Sequence, residues 1–317
     1  MFGESAGVLH ARVRCRGAEI DAVELQLRRP LELLTGLHGK SPDECLRLLP
    51  LLFPLCGMAH ALAALQAIEA SLGIEPDPAH LAARATLALA DATAAHVWRT
   101  CIDWPQLAGE PVFASPVARA RRLSERIAVA LYPDGDWRRL GGGRLAPDAA
   151  ALARACAELE QLRAETAPAV ALSVLRQQLT SALAGAEGEW QARLDACFAD
   201  MADATTASFE RLDARLRMAP TRSETPVSSA PFADSGDGSG SVDTARGVLC
   251  YQIRIASRKV ENCTLVAPTD RTFDGSGPVA PVLHRLQRAD QPVLAVRWIL
   301  AAFDPCIEVQ VEAVAAG

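Results

Sequence analysis

The chain has 317 residues, 50% of them hydrophobic and 22% charged, enough apolar material for one large core or two modest ones. Its formal net charge of −6 and pI near 5.6 give it no general electrostatic pull on nucleic acid or anionic lipid. Nine cysteines, an odd number with no CxxC pair and no visible export signal, argue against a disulfide framework and against a closed zinc site of ordinary spacing.

Residues 7–29 alternate apolar and polar positions in two runs, with a turn at Arg16-Gly17, the pattern of a β-hairpin. At Ser41 a capping residue followed by Asp43 and Glu44 starts a helix, SPDECLRLLPLL, with its acids where the helix dipole favours them. Leu48 to Ile68 carries no charge and is long enough to span a bilayer. Pro50, Pro54 and Gly57 interrupt it, so it reads as a turn entering a buried, alanine-rich helix from Gly57 to Leu72. No membrane insertion is expected, and the protein reads as soluble and cytoplasmic.

Residues 78–100 repeat apolar positions at helical spacing, 104–116 read as a loop, and 117–131 as a short helix. The longest helical signal covers 147–217, and a break near Gly185–Gly188 predicts an antiparallel pair of long helices. Residues 219–247, rich in Ser, Gly, Pro and Asp, read as a flexible surface loop. Strands are expected at 247–257 and 260–267, then a turn-rich stretch, a helix at 278–287 and a terminal helix from Val293. The fold class is α+β and mainly helical: a helical core with small β-sheets from the two chain ends. Its divisions are an N-terminal sheet and helical core (1–218), a flexible loop (219–245) and C-terminal strands and helix completing the same domain (246–317).

Four separated pieces bear on chemistry. In FPLCGMAHALAALQAIE (53–69), Cys56 opens a helix, where the positive end of the dipole favours a thiolate, and His60 lies one turn on along the same face. In DTARGVL (243–249), Arg246 precedes a strand. In LVAPTDRTF (265–273), a strand ends at Pro268-Thr269, and FDPC (303–306) places Cys306 on a tight turn. Each piece alone has a plainer reading: a buried structural thiol, a satisfied core histidine, a surface charge, a turn residue.

Together and in this order, they resemble the large subunit of nickel–iron hydrogenases. That family carries R-x-C-G-x-C-x-x-x-H followed by A-L-A-x-x-x-A-x-E near its N-terminus, D-P-C-x-x-C-x-x-H at its C-terminus, and P-R-G and P-[ST] segments between. HALAALQAIE (60–69) sets the register, so Cys56 falls on the second cysteine of the first pair, Phe53 on the first, and Leu51 on the arginine. At the other end Cys306 falls on a cysteine, Val309 on its partner and Glu312 on the histidine. RPLELLTGLHGKSPDE (29–44) is also similar, whereas 100–240 is not. His96, Cys101, Asp103 and Trp104 lie where the family has a histidine-rich helix, and read here as packing and surface residues.

In that family four thiolates hold nickel, and two of them bridge to an iron carrying cyanide and carbon monoxide. The resemblance therefore implies too few soft donors for nickel here, and no hydrogen turnover. The family's N-terminal glutamate is replaced by Ala6, which removes a proton carrier, and only five residues follow Glu312, leaving little tail to cleave. It implies that Cys56 and Cys306 bind iron, that Arg246 and Thr269 donate to cyanide nitrogens, that Leu249 lines a dry pocket for carbon monoxide, and that His60 belongs to the site. The chain thus looks like the HupK/HoxV type of hydrogenase maturation protein, a scaffold for a transiently bound Fe(CN)2(CO) unit. Expected partners are HypC/HypD-type maturation proteins and a hydrogenase large-subunit precursor. The alternatives are a cofactor-free structural or interaction relative, and an enzyme using Cys56 and Cys306 as a thiol pair.

Overall fold

A computed structural model describes residues 7–28, 32–53, 55–166, 168–186, 189–220, 222–223 and 232–315. Ala6 lies outside the described residues. The chain opens with the expected hairpin, β1 (Val8–Arg16) and β2 (Glu19–Arg28), turning at Gly17 with φ 64°. A single turn, α1 (Glu32–Thr35), leads to α2 (Pro42–Leu52). Ser41 closes a capping box with Glu44: its hydroxyl accepts from the Glu44 N–H, and its own N–H donates to the Glu44 carboxylate at 2.8 Å. Next come α3 (Gly57–Leu72), ended by Gly73 in the left-handed region, and α4 (Pro78–Trp98). The uncharged stretch is thus divided between two helices, and among the described residues no helix is long and apolar enough to cross a membrane.

Residues 104–116 are not all loop. A π-turn (Arg99–Asp103) carries α4 directly into α5 (Trp104–Ala108), with Pro105 tolerated because it sits in the first turn. α6 (Ala114–Leu131) follows. The predicted helix pair over 147–217 is three helices: α7 (Ala149–Thr166), α8 (Pro168–Ala182) and α9 (Glu189–Arg217). Pro168, which has no N–H to continue a helical ladder, opens α8, and Gly185 with φ 76° follows that helix.

The largest correction concerns 219–247. Residues 236–244 form a strand, β3 (Gly236–Thr244), while 224–231 lie outside the described residues. β3 is the outer strand of an antiparallel sheet, β3-β4-β5, with β4 (Gly247–Ala256) and β5 (Lys259–Val266). Its glycines are a packing device. A Cβ at Gly236, Gly238 or Gly240 would meet the carbonyl oxygens of Ser71, Ala67 and Ala63 at 2.1, 2.1 and 2.2 Å. Alternate strand residues therefore lie on every fourth residue of α3, which only glycine permits.

After β5 come α10 (Pro268–Phe273), α11 (Val279–His284) and α12 (Pro292–Ala301). The helix expected at 278–287 is shorter, ending at His284 with Arg285 at its C-cap. The sequence reading also missed β6 (Glu308–Ala315), which pairs parallel with β1 and aligns Leu9 with Val309 and Arg12 with Glu312. The two chain ends thus form one sheet, β2-β1-β6.

Two apolar clusters form the core. One packs α2, α3, α4, α6 and α7 with the β3-β4-β5 sheet, and the other packs β1, α8, α11 and α12. The long α9 serves both, with Phe209 in the first and Phe198 in the second. Cys56 packs against the first cluster and Cys306 against the second, so their common site lies on the seam between them.

Candidate functional site

Cys56 occupies the N-cap position of α3, and its carbonyl accepts from the His60 N–H at 3.0 Å. Cys306 sits just before β6, in the turn that links α12 to the sheet of the chain ends. Arg246 is in the tight turn between β3 and β4, Leu249 on β4, and Thr269 in the first turn of α10. These residues span most of the sequence, yet all five line one cavity with His60 and Asp91. Both cysteines are half-buried, whereas Leu249 and Thr269 are buried. The free space is ≈ 30 Å³, about the room of one water-sized group.

The Thr269 hydroxyl faces the Cys306 sulfur at 2.9 Å and also accepts from the Cys306 N–H at 3.4 Å. The hydroxyl can donate as well as accept, so it stands as a possible donor beside the sulfur. His60 lines the cavity, but its Nδ1 bonds the Tyr251 hydroxyl at 2.7 Å and its ring stacks on Phe53. It braces the wall of the site. Val309 and Glu312 lie on β6, where Val309 packs into the second cluster and Glu312 pairs with Arg12 at 3.1 Å.

Charge at the site is set by residues to which the sequence reading gave no role. Asp304 has φ 49°, the left-handed region, which is uncommon outside glycine although aspartate tolerates it. Its carboxylate takes Arg99 at 2.7 Å and Arg246 Nε at 3.2 Å, and its carbonyl accepts from Arg246 Nε at 3.0 Å. Burial alone would raise the Asp304 pKa, but Arg246 and Arg99 hold it below the usual carboxylate range. For Arg246 burial opposes the charge, yet Asp304, then Cys306, Asp103 and Cys56, raise its pKa above the ordinary guanidinium value. The cation is therefore permanent and lies within electrostatic reach of both thiols.

Behind Arg99 stands His96, which bonds it. Burial, and next the Arg99 charge, push the His96 pKa down to about 3, so the ring is neutral. Asp103 accepts from Trp98 Nε1 at 2.9 Å, and burial followed by the nearby Asp304 charge pushes its pKa up to about 6. Asp91, on the cavity wall, accepts the Ala59 N–H at 3.2 Å and is also pushed up to about 6 by burial. Cys101 and Trp104 are packing residues as expected, but His96 and Asp103 belong to the polar cluster around Arg99 and Asp304. The aspartate before Pro305-Cys306 was the visible signal. Arg99 carried none, because its partner lies 205 residues away.

The donor set defines the possible chemistry. Two thiols, a fixed guanidinium, a hydroxyl and an apolar wall suit a soft metal carrying small anionic ligands. Among the described residues no group of three or more His, Cys, Asp or Glu side chains is placed to hold a metal ion.

The family described as nickel-dependent hydrogenase matches residues 145–312. Among curated relatives, the hydrogenase expression/formation protein HupK of Azotobacter vinelandii is 27% identical, with 98% of this chain and 99% of the relative covered. The expression/formation protein HupV of Azotobacter chroococcum is 28% identical over 97% of this chain and 98% of the relative. HoxV of Cupriavidus necator, described likewise, is 27% identical over 87% and 89%. Among solved structures, the reduced Ni-Fe-Se hydrogenase of D. vulgaris Hildenborough superimposes with a TM-score of 0.69 at 12% identity, covering 93% of this chain and 95% of that one. The fold is that of the hydrogenase large subunit.

Proposed function

This chain belongs to the nickel-dependent hydrogenase family, and from that premise we propose that it is a maturation scaffold rather than a hydrogenase. Its cargo is the Fe(CN)2(CO) unit, held transiently by the thiolates of Cys56 and Cys306 and passed to the apo large subunit of a nickel–iron hydrogenase. HypC/HypD-type proteins supply the cargo, and the exchange takes place in the cytoplasm. The relatives named as expression/formation proteins, similar along nearly their whole length, support the general role.

One observation carries the reading. Cys56, Arg246, Leu249, Thr269 and Cys306 line one cavity, while Phe53 and Val309 stand at the two further positions where the resemblance expects thiols. In this reading Arg246 and the Thr269 hydroxyl donate to the cyanide nitrogens, Leu249 keeps the carbonyl side dry, and His60 braces the wall. Two thiolates hold the unit without enclosing it, and no nickel is retained.

A second reading, a cofactor-free interaction protein, is favoured by the small free space and by the Thr269 contact to Cys306. Infrared spectroscopy separates the two. Protein purified without oxygen from cells making a hydrogenase is expected to show metal-bound cyanide and carbonyl bands. Cys56→Ser and Cys306→Ser should each abolish them, and Arg246→Leu should weaken retention. A blank spectrum from folded wild-type protein selects the interaction reading.

A further inference from the structure

A second, larger hollow opens beside the cysteine cavity. It has a volume of ≈ 1080 Å³, at the upper end of what small ligands occupy. Ala92 and Thr244 line both hollows, so the larger one runs up to the mouth of the smaller. Its lining comes from α4, from the C-terminal end of α9 and from the last residues of β3, 241–244, and α4 packs against both of the others. Leu62 and Leu89 form part of an apolar floor, and Leu81 and Met218 are 47% and 79% exposed at its rim.

Two features indicate what fits there. The first is the sheet edge. β3 is the outer strand of its sheet and closes on β4 through the pair Thr244↔Gly247, so the backbone groups of 241 and 243 point away from β4. The outward N–H of Ser241 donates at 3.1 Å to the side-chain carbonyl of Gln66, a lining residue of the hollow. A side-chain amide thus takes the place that a neighbouring strand's carbonyl would take. The second is charge: Arg211 and Arg215, one turn apart on α9, are exposed on the wall and outweigh the single exposed carboxylate of Asp243 on β3, and the Arg211 charge is felt as deep as His96.

We propose that this groove receives an extended, acidic segment of a partner polypeptide, added as a further strand to the outer edge of β3. Its backbone replaces the Gln66 amide, alternate apolar side chains rest on the floor, and alternate carboxylates meet Arg211 and Arg215. The inserted strand ends beside Thr244, whose hydroxyl accepts from the Arg246 N–H at 3.2 Å and donates to the Gly247 carbonyl at 2.8 Å. Docking therefore bears on the turn that holds Arg246. The identity of the partner as a cargo-exchange protein rests on the scaffold reading. The groove and its ligand chemistry do not.

The test uses the full chain and a fluorescent peptide of alternating valine and glutamate, followed by anisotropy. Binding is expected to weaken at least tenfold in Arg211→Glu/Arg215→Glu, to weaken with added salt, and to be lost when alternate peptide nitrogens are methylated. Arg215→Gln, a milder surface change, should give an intermediate loss if the double variant folds poorly. No binding by wild type, equal binding of a valine–lysine peptide, or indifference to both methylation and charge reversal overturns the proposal. The infrared spectrum of wild type is read independently of the peptide. Peptide binding with a blank spectrum leaves the groove standing and the scaffold reading fallen, and bands without peptide binding do the reverse.

Discussion

The rings of Phe53 and His60 lie parallel, with centroids 3.8 Å apart and planes within 6°. An aromatic ring thus fills the place where the resemblance expects a thiol, and locks the histidine toward Tyr251. Phe53→Cys removes this packing and adds a third soft donor beside Cys56. Stability should fall by about 2–4 kcal/mol, in the range of large-to-small core changes. On the scaffold proposal cargo should be held longer: infrared bands should persist on this protein after mixing with apo large subunit, whereas wild type is expected to lose them. Equal rates of loss would show that the missing thiol does not control release.

Thr269→Val keeps the shape and deletes the hydroxyl that faces Cys306. The fold should lose only about 0.5–1.5 kcal/mol, the net value of one hydrogen bond. The cyanide stretching bands should shift, since in the proposed arrangement one nitrogen loses its donor, while Cys306→Ser should remove them. Bands at unchanged frequency count against the assigned contact.

Gly238→Ala tests whether β3 is a packed strand. The added methyl would meet the Ala67 carbonyl oxygen at 2.1 Å, and that oxygen belongs to helix backbone that cannot step aside. A loss of about 1–3 kcal/mol or more is expected in chemical denaturation. Gly275→Ala, which meets nothing within 4 Å, is the matched control. Equal midpoints for the two variants would return 236–244 to the status of a surface loop.

His96 should shape the acid limb of stability. Its folded pKa of about 3 lies below the ordinary value of about 6.5. The unfolded chain therefore binds the extra proton, and the contribution of neutral His96 is present above pH 6.5 and lost as pH falls toward 3. Asp91 and Asp103 act in the opposite sense: each is raised to about 6, so each favours the folded state at low pH, and that contribution is lost as pH rises through 6. His96→Gln should show a shallower decline in denaturation midpoint below pH 6.5 than wild type. Superimposable profiles would place the acid sensitivity elsewhere.

Local signals were legible in the chain. The Ser41 capping box, the turn at Gly17, the break at Gly185 and the alternation at 247–257 all act between near neighbours and leave their mark within a few residues. So do Cys56 before its helix and Cys306 after its Asp-Pro step, although the shared role proposed for them came from resemblance and not from spacing. Some signals were present but read for composition alone. GDGSG looks like a linker until α3 is laid beneath it, and VQVEAV alternates but shows its role only once β1 is its partner.

The tertiary structure decided the rest, because the deciding interactions act across long stretches of chain. Arg99 becomes a site residue only through Asp304, and Asp304 adopts its left-handed backbone between two arginines drawn from distant elements. The two cysteines come together because one apolar cluster carries Cys56, another carries Cys306, and the two meet at a seam. The sequence by itself determined which donors this protein has. Packing decided which of them share a cavity, and that Phe53 in the core and Val309 packed against it stand where two more thiols are expected.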